Sequence, residues 1–254
     1  MLDQFRLDGK LALVTGSSGG IGYGLAEALA AAGARVVLNG RNADRVHSAS
    51  AALCAKGHTI HEMPFDVTAP AEVAAAVERI EAEIGPIEIL VNNAGMQFRA
   101  PLEDFPDEAW QRLMRLNLDS LFYVSKAVVR YMIPRRSGRI INICSVQSEL
   151  GRPNIAPYAA SKGAVKMLTK GMAIDWGKYG INTNGLGPGY FKTELTQALV
   201  DDEKFSSWLT SRTPSGRWGD VAELGGAVVF LASAASSFVN GHILYVDGGV
   251  TATL

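Results

Sequence analysis

A doubly wound α/β fold, a parallel sheet of about seven strands with helices on both faces, is predicted by three observations. Short β-branched or apolar runs alternate along the chain with longer Ala-rich amphipathic stretches, the rhythm of repeated strand-helix-strand units. The first apolar run, Leu11 to Val14, passes directly into the turn Thr15-Gly16-Ser17-Ser18-Gly19-Gly20-Ile21-Gly22 and then into helix-forming sequence, Tyr23 to Ala32. No linker, repeat or low-complexity segment breaks the 254 residues, of which 48% are hydrophobic and 19% charged. One domain, residues 1–254, is therefore expected.

Strands are expected near 11–15, 35–39, 59–64, 88–91, 139–143, 181–186 and 243–246, with helices in the intervals and right-handed crossovers. After the first strand, glycines let the backbone approach a pyrophosphate, whose charge suits the free N–H groups and dipole of the helix that follows. Gly16, Ser18, Gly20, Ile21 and Gly22 are the candidate contacts, and the strand before and helix after make the crossover Rossmann-type rather than a simple tight turn. The second strand decides which nucleotide. An acid at its end would bind the ribose hydroxyls of NAD, yet Asn39-Gly40-Arg41 stand there. Arg41 removes that repulsion and offers a planar cation to a 2′-phosphate. NADP is the expected cofactor, with NAD the alternative if Arg41 only faces solvent.

The fifth strand leads into Ser145, and Tyr158 and Lys162 follow at i and i+4 on an expected helix, so they share a face. A tyrosine with its ordinary pKa near 10 is a poor acid at neutral pH, and moving it toward 7 takes roughly 4 kcal/mol. A charge about 4 Å away contributes roughly that much at an effective dielectric near 20, so Lys162 is expected to supply much of it. Ser145 would hold a substrate oxygen for proton transfer from Tyr158. The stretch from Tyr190 to Asp220, with Trp208, Pro214 and Trp218, breaks the rhythm, has weak strand signal and reads on its own as a surface excursion.

These motifs together resemble the short-chain dehydrogenase/reductase family, from about Leu7 to Gly249. The glycine turn matches TGxxxGxG, Asn92-Asn93-Ala94-Gly95 matches NNAG, and Asn117, Ser145, Tyr158 and Lys162 fall at the catalytic tetrad. The resemblance implies that Asn117 bends its helix and holds a water serving Lys162. It also implies that Asn93, Ala94 and Gly95 support the cofactor, with Tyr158 and Lys162 contacting it. Asp66 and Val67 would face the adenine. Pro188, Gly189, the backbone of Tyr190 and Phe191, and the Thr193 hydroxyl would grip the carboxamide and phosphates. The segment at about 190–220 would be a substrate lid, and the assembly a homotetramer through the long fourth and fifth helices and the last strand.

Within the family, the runs Ser148 to Arg152, Gly187 to Glu194 and Arg217 to Asp220 are similar to the branch that interconverts D-gluconate and 5-keto-D-gluconate. That implies a sugar-acid substrate and a cation near the nicotinamide. Arg99 is the first candidate for the carboxylate, Arg152 and Lys192 are the next, and Gln147 suits sugar hydroxyls. A 3-oxoacyl carrier-protein reductase is the nearest alternative, and a cofactor-sensing protein without turnover is disfavoured by the intact tetrad.

Other classes are excluded by composition. A net charge of −1, with basic residues scattered apart from Arg135-Arg136, offers no stripe for nucleic acid or an anionic membrane. Met1 to Lys10 does not read as a leader and no apolar run reaches membrane-spanning length, so the cytoplasm is the expected location. Cys54 and Cys144 are expected as reduced thiols. His47, His58, His61 and His242 form no ligand cluster, so no metal is expected.

Overall fold

The computed structural model describes residues 2–253, with the side chain of Leu195 left aside. Seven strands form one parallel sheet: β1 Leu11–Val14, β2 Arg35–Leu38, β3 Ile60–Glu62, β4 Ile87–Asn92, β5 Gly138–Ile143, β6 Ile181–Pro188 and β7 Ile243–Val246. Their spatial order is β3-β2-β1-β4-β5-β6-β7. The Rossmann-type expectation is met.

Nine α-helices connect and cover the strands: α1 Gly20–Ala31, α2 Ala43–Cys54, α3 Pro70–Arg79, α4 Asp107–Met114, α5 Ser120–Arg135, α6 Ala156–Gly177, α7 Gln197–Val200, α8 Glu203–Arg212 and α9 Gly225–Ala232, counted among the described residues. Alternation along β1 sets the two layers. Ala12 and Val14 face one core with Leu25 and Leu29 of α1 and Val228 and Leu231 of α9. Leu11 and Leu13 face the other with Val73 and Val77 of α3 and Val124, Val128 and Met132 of α5. Each such side chain removed from water contributes roughly 1.5–3 kcal/mol. The central strands are buried on both sides and read as continuous apolar runs, whereas edge strands β3 and β7 are only partly buried. The third strand is shorter than the expected 59–64 for that reason.

Two local features shape the site. Helices α4 and α5 are one continuous rod interrupted by a π-turn, Arg115–Asp119. After β6 the chain leaves the sheet for α7 and α8 and returns beside its point of departure. There the Lys192 N–H donates to the Gly219 carbonyl at 3.0 Å, and the Gly219 N–H donates to that of Tyr190 at 2.9 Å. The stretch expected to lack strand character is thus a helical excursion stapled at its neck. No described helix is long and apolar enough to cross a membrane.

Candidate active site

Because β1 lies between β2 and β4, the winding reverses there, and a cleft of about 550 Å³ opens at the carboxyl ends of the strands. One half is lined by the glycine turn. No side chain caps the start of α1 at Gly19, which leaves its first N–H groups for an anion. Gly22 admits no side chain, since a Cβ would lie 2.3 Å from the Gly16 carbonyl oxygen and 2.4 Å from Asn93 Nδ2. Gly20, at φ 54°, is in the left-handed region, and a Cβ there meets no atom within 4 Å. This backbone cradle fits a dinucleotide pyrophosphate. Ser18 and Ile21 line it as well.

Asn39 is buried and braces the turn from behind. Its Nδ2 donates to the carbonyls of Met63 and Phe65 at 3.2 and 3.1 Å, and its Oδ1 accepts from the Gly16 N–H at 3.3 Å. A Cβ on Gly40 would stand 3.1 Å from both Ser18 Oγ and Val46 Cγ2, leaving little room for a carboxylate. Arg41 sits exposed at the cleft rim. Arg45, one turn further on, also lines the cleft and pairs with Glu194 at 3.2 Å. Sequence reading missed Arg45, although its i+4 relation to Arg41 was the available signal. Val67 lines this half while Asp66 does not. The Asp66 Oδ1 instead accepts from the Thr68 N–H and hydroxyl, both at 2.8 Å. Burial pushes that carboxyl up, but the Thr68 bonds and the charges of Arg41 and Arg115 prevail and hold it below its ordinary value.

Asn93 ties the end of β4 to the turn, its Nδ2 donating to the carbonyls of Thr15 and Gly16 at 2.9 Å each. The Ala94 N–H donates to Thr15 Oγ1 at 3.1 Å, and Gly95 lies against Asn117. At the far wall are Pro188, Gly189, Phe191 and Thr193. The Thr193 hydroxyl is 3.0 Å from that of Thr196, within a capping box at the start of the excursion.

The reactive groups meet where β5 and α6 face each other. Ser145 follows β5, and its Oγ accepts from the Gln147 N–H at 3.2 Å. Tyr158 and Lys162 stand on α6 as the i, i+4 spacing predicts, with Lys162 Nζ 5.9 Å from the phenol ring centroid. Lys162 is 5% exposed and donates to the Ile143 carbonyl at 2.7 Å. Burial drives its pKa down to about 8, against an opposing pull from Cys144. Desolvation likewise pushes the Tyr158 phenol up, and the Ser145 hydroxyl pulls it down. Lys162 keeps its charge while donating to Ile143, so it remains available to favour a phenolate at Tyr158. Asn117 lies in the π-turn, where the widened helix turns its amide toward α6. Its Nδ2 donates to the Met96 carbonyl at 3.0 Å and to Ser161 Oγ at 3.1 Å, while its Oδ1 accepts from the Met96 N–H at 2.8 Å. A π-turn at such a place is a common mark of function.

Beyond these groups the cleft turns cationic. Arg99 and Arg152 both line it, and neither has an acidic partner among the described residues. Partial burial and then the charge of Arg152 push Arg99 below its ordinary value. Gln147 Oε1 and Arg152 Nε are buried without a hydrogen-bond partner among the described residues. The Gln147 Nε2 donates to the Tyr190 hydroxyl at 3.3 Å. Burial pushes the Tyr190 phenol up, and Arg152, Arg99, Gln147 and Arg212 pull it back. Tyr190 therefore presents its side chain to this end, which the sequence did not reveal. Lys192 is exposed and outside the cleft lining. No group of acidic, His or Cys side chains able to hold a metal occurs among the described residues.

Comparison with known proteins extends this geometry. A family described as Enoyl-(Acyl carrier protein) reductase matches residues 16–251. A gluconate 5-dehydrogenase of Gluconobacter oxydans is 59% identical over 252 residues, 99% of this chain and 98% of that protein. A 5-keto-D-gluconate 5-reductase of Escherichia coli K12 is 54% identical over 250 residues, 98% of each. A gluconate 5-dehydrogenase from Burkholderia cenocepacia, crystallised with NADP and tartrate, superposes with a TM-score of 0.97 at 59% identity, covering 100% of this chain and 99% of that one.

Proposed function

The chain belongs to the short-chain dehydrogenase/reductase family, and from that premise we propose that it is an NADP-dependent oxidoreductase interconverting D-gluconate and 5-keto-D-gluconate. The observation that carries the reading is the meeting, in one cleft, of Ser145 and Tyr158 with two guanidinium groups that lack acidic partners among the described residues. Relatives bearing those activities along their full length support it.

Gly16, Gly20 and Gly22 would seat the pyrophosphate, and Arg41 with Arg45 would meet the 2′-phosphate. When bound, the nicotinamide supplies or accepts the hydride, and its oxidised ring adds positive charge beside Tyr158. The chain's own residues manage the oxygen and its proton. Ser145 donates to the C5 oxygen and fixes it, and Tyr158 gives that oxygen a proton in reduction or removes it in oxidation. Lys162, buried and cationic below about pH 8, favours the phenolate left behind, and Asn117 orders the turn through which the proton is restored. Arg99 and Arg152 hold the C1 carboxylate, with Gln147 on a neighbouring hydroxyl. An acyl chain would find these polar groups where it needs an apolar channel, which disfavours a carrier-protein substrate. Asp66 serves by shaping the adenine end, beside Val67.

The helical excursion acts as the substrate lid, at about 190–220. A homotetramer is part of this reading: Phe122 of α5 and Met167 and Ile174 of α6 are exposed apolar side chains on the two long helices, suited to further copies of the chain. Its place is the cytoplasm, where the nicotinamide pool lies.

The deciding assay follows absorbance of the reduced nicotinamide with NADPH and 5-keto-D-gluconate, beside NADH and an acetoacetyl thioester. Rapid NADPH loss with the keto acid alone is expected. Preference for the thioester would overturn the reading.

A further inference from the structure

The geometry points to Phe205, carried by the excursion on α8, as the residue that positions Arg152 for the substrate carboxylate, so that the excursion adds to recognition of substrate charge. This rests on the sugar-acid reading above and extends it to a side chain that touches no reacting atom.

Arg152 stands on the loop between β5 and α6, and its guanidinium lies over the Phe205 ring at 4.9 Å from the centroid. That contact and burial are all that orient it, since its Nε has no hydrogen-bond partner among the described residues. A long arginine left unheld samples many rotamers and loses them when it binds. A ring face removes that freedom beforehand while leaving the N–H edge of the guanidinium free to donate, because stacking and edge donation use different parts of the group.

Phe205 is itself held. Its N–H donates to Asp202 Oδ1 at 3.1 Å, capping α8, and its ring packs 5.4 Å from Trp208, 5.9 Å from Tyr190 and 6.3 Å from Trp218. Trp218 is anchored in turn, its Nε1 donating to Ser206 Oγ at 2.8 Å. Tyr190 links this cluster to Gln147. The aromatic cluster therefore joins the excursion to the carboxylate end of the cleft, where the loop after β4 contributes Arg99 and the excursion fixes Arg152.

The test compares KM and kcat for D-gluconate and for D-glucitol, which replaces the carboxylate with a hydroxymethyl group, in wild type, Phe205→Ala, Phe205→Leu and Phe205→Trp. NADP affinity, measured separately, reports that each variant is folded. Phe205→Ala should raise KM for D-gluconate roughly 3- to 30-fold, the range set by cation-π contacts, with kcat within about 2-fold. KM for D-glucitol should stay near wild type. Phe205→Trp should restore KM and Phe205→Leu should not, because bulk without a ring face cannot hold a guanidinium. In an Arg152→Ala background, Phe205→Ala should add nothing further. Equal losses for both substrates, full rescue by Phe205→Leu, or an undiminished effect without Arg152 would each overturn the proposal. A wild type that does not prefer D-gluconate would overturn the sugar-acid reading itself and this inference with it.

Discussion

Replacing Arg99 with Ala separates charge recognition from every other duty of the cleft. Among the described residues Arg99 has no acidic partner and its guanidinium bonds only to Gln97 Oε1, at 3.0 Å, while Arg152 repels it. Its removal leaves no buried carboxylate uncompensated, so the fold should be unharmed and the melting temperature unchanged or slightly higher. Binding should change sharply. A hydrogen bond to a charged group contributes about 1.5–3 kcal/mol, equivalent to roughly 10- to 150-fold in affinity. The lower part of that range is expected for Arg99→Ala alone, because Arg152 still faces the carboxylate. The double variant Arg99→Ala/Arg152→Ala should lose more than either single one, and D-glucitol should lose less than about 3-fold throughout. Steady-state KM values for D-gluconate and D-glucitol at saturating NADP, with thermal melts in parallel, give all four quantities. Equal losses for the charged and uncharged substrates would refute the carboxylate role, and a large fall in melting temperature would show that Arg99 is a structural residue.

Three further outcomes are expected. Tyr158→Phe should reduce kcat by roughly 10²–10⁴-fold, the range of a lost general acid, while NADPH fluorescence titration shows binding within about 2-fold. Lys162→Met should abolish most turnover yet alter the pH dependence of stability. The native lysine has a pKa of about 8 against an ordinary 10.5, so between these values the unfolded chain binds more protons and wild-type stability rises with pH. Denaturant unfolding of Lys162→Met should lack that rise, and parallel pH curves for the two proteins would disprove the titration. For Arg41→Ala, the dissociation constant for NADP should increase about 10-fold with that for NAD unchanged, as loss of one cation at a 2′-phosphate requires; equal change in both would remove Arg41 from nucleotide choice.

Much of this architecture is legible in the chain because local chemistry and topology agree. The run Leu11 to Val14 followed by glycines can hardly be anything but a central strand entering a helix, and the i, i+4 spacing of Tyr158 and Lys162 survives on α6 unchanged. What was illegible depends on long-range contact. A bend at Asn117 is suggested by the resemblance alone, and its form as a π-turn, with the amide reaching Met96 and Ser161, appears only in the fold. The bonds from the Thr68 N–H and hydroxyl to Asp66 Oδ1 likewise emerge only with the fold of that turn. That Lys162 also donates to the Ile143 carbonyl at 2.7 Å is invisible until β5 and α6 are seen to face each other. Arg152 and Phe205 are far apart in sequence and meet through the folding of the excursion alone.

The neck of that excursion has a consequence for how such a chain can diversify. Tyr190 and Gly219 are already bonded where the segment leaves and returns, and the ion pair of Arg45 with Glu194 and the Ser215 N–H on the Gly248 carbonyl tie its two flanks to the body, which leaves α7 and α8 as a closed excursion between fixed ends. Loop-closure entropy grows only slowly with length, and β6 and β7 are paired independently of it. Insertions, deletions or replacement within α7 and α8, after the nucleotide-facing Phe191, Thr193 and Glu194 and before Ser215, would leave nucleotide seating and proton handling in register. Substrate choice can thus be rewritten by exchanging a cassette, with the sheet acting as an unchanging chassis beneath it.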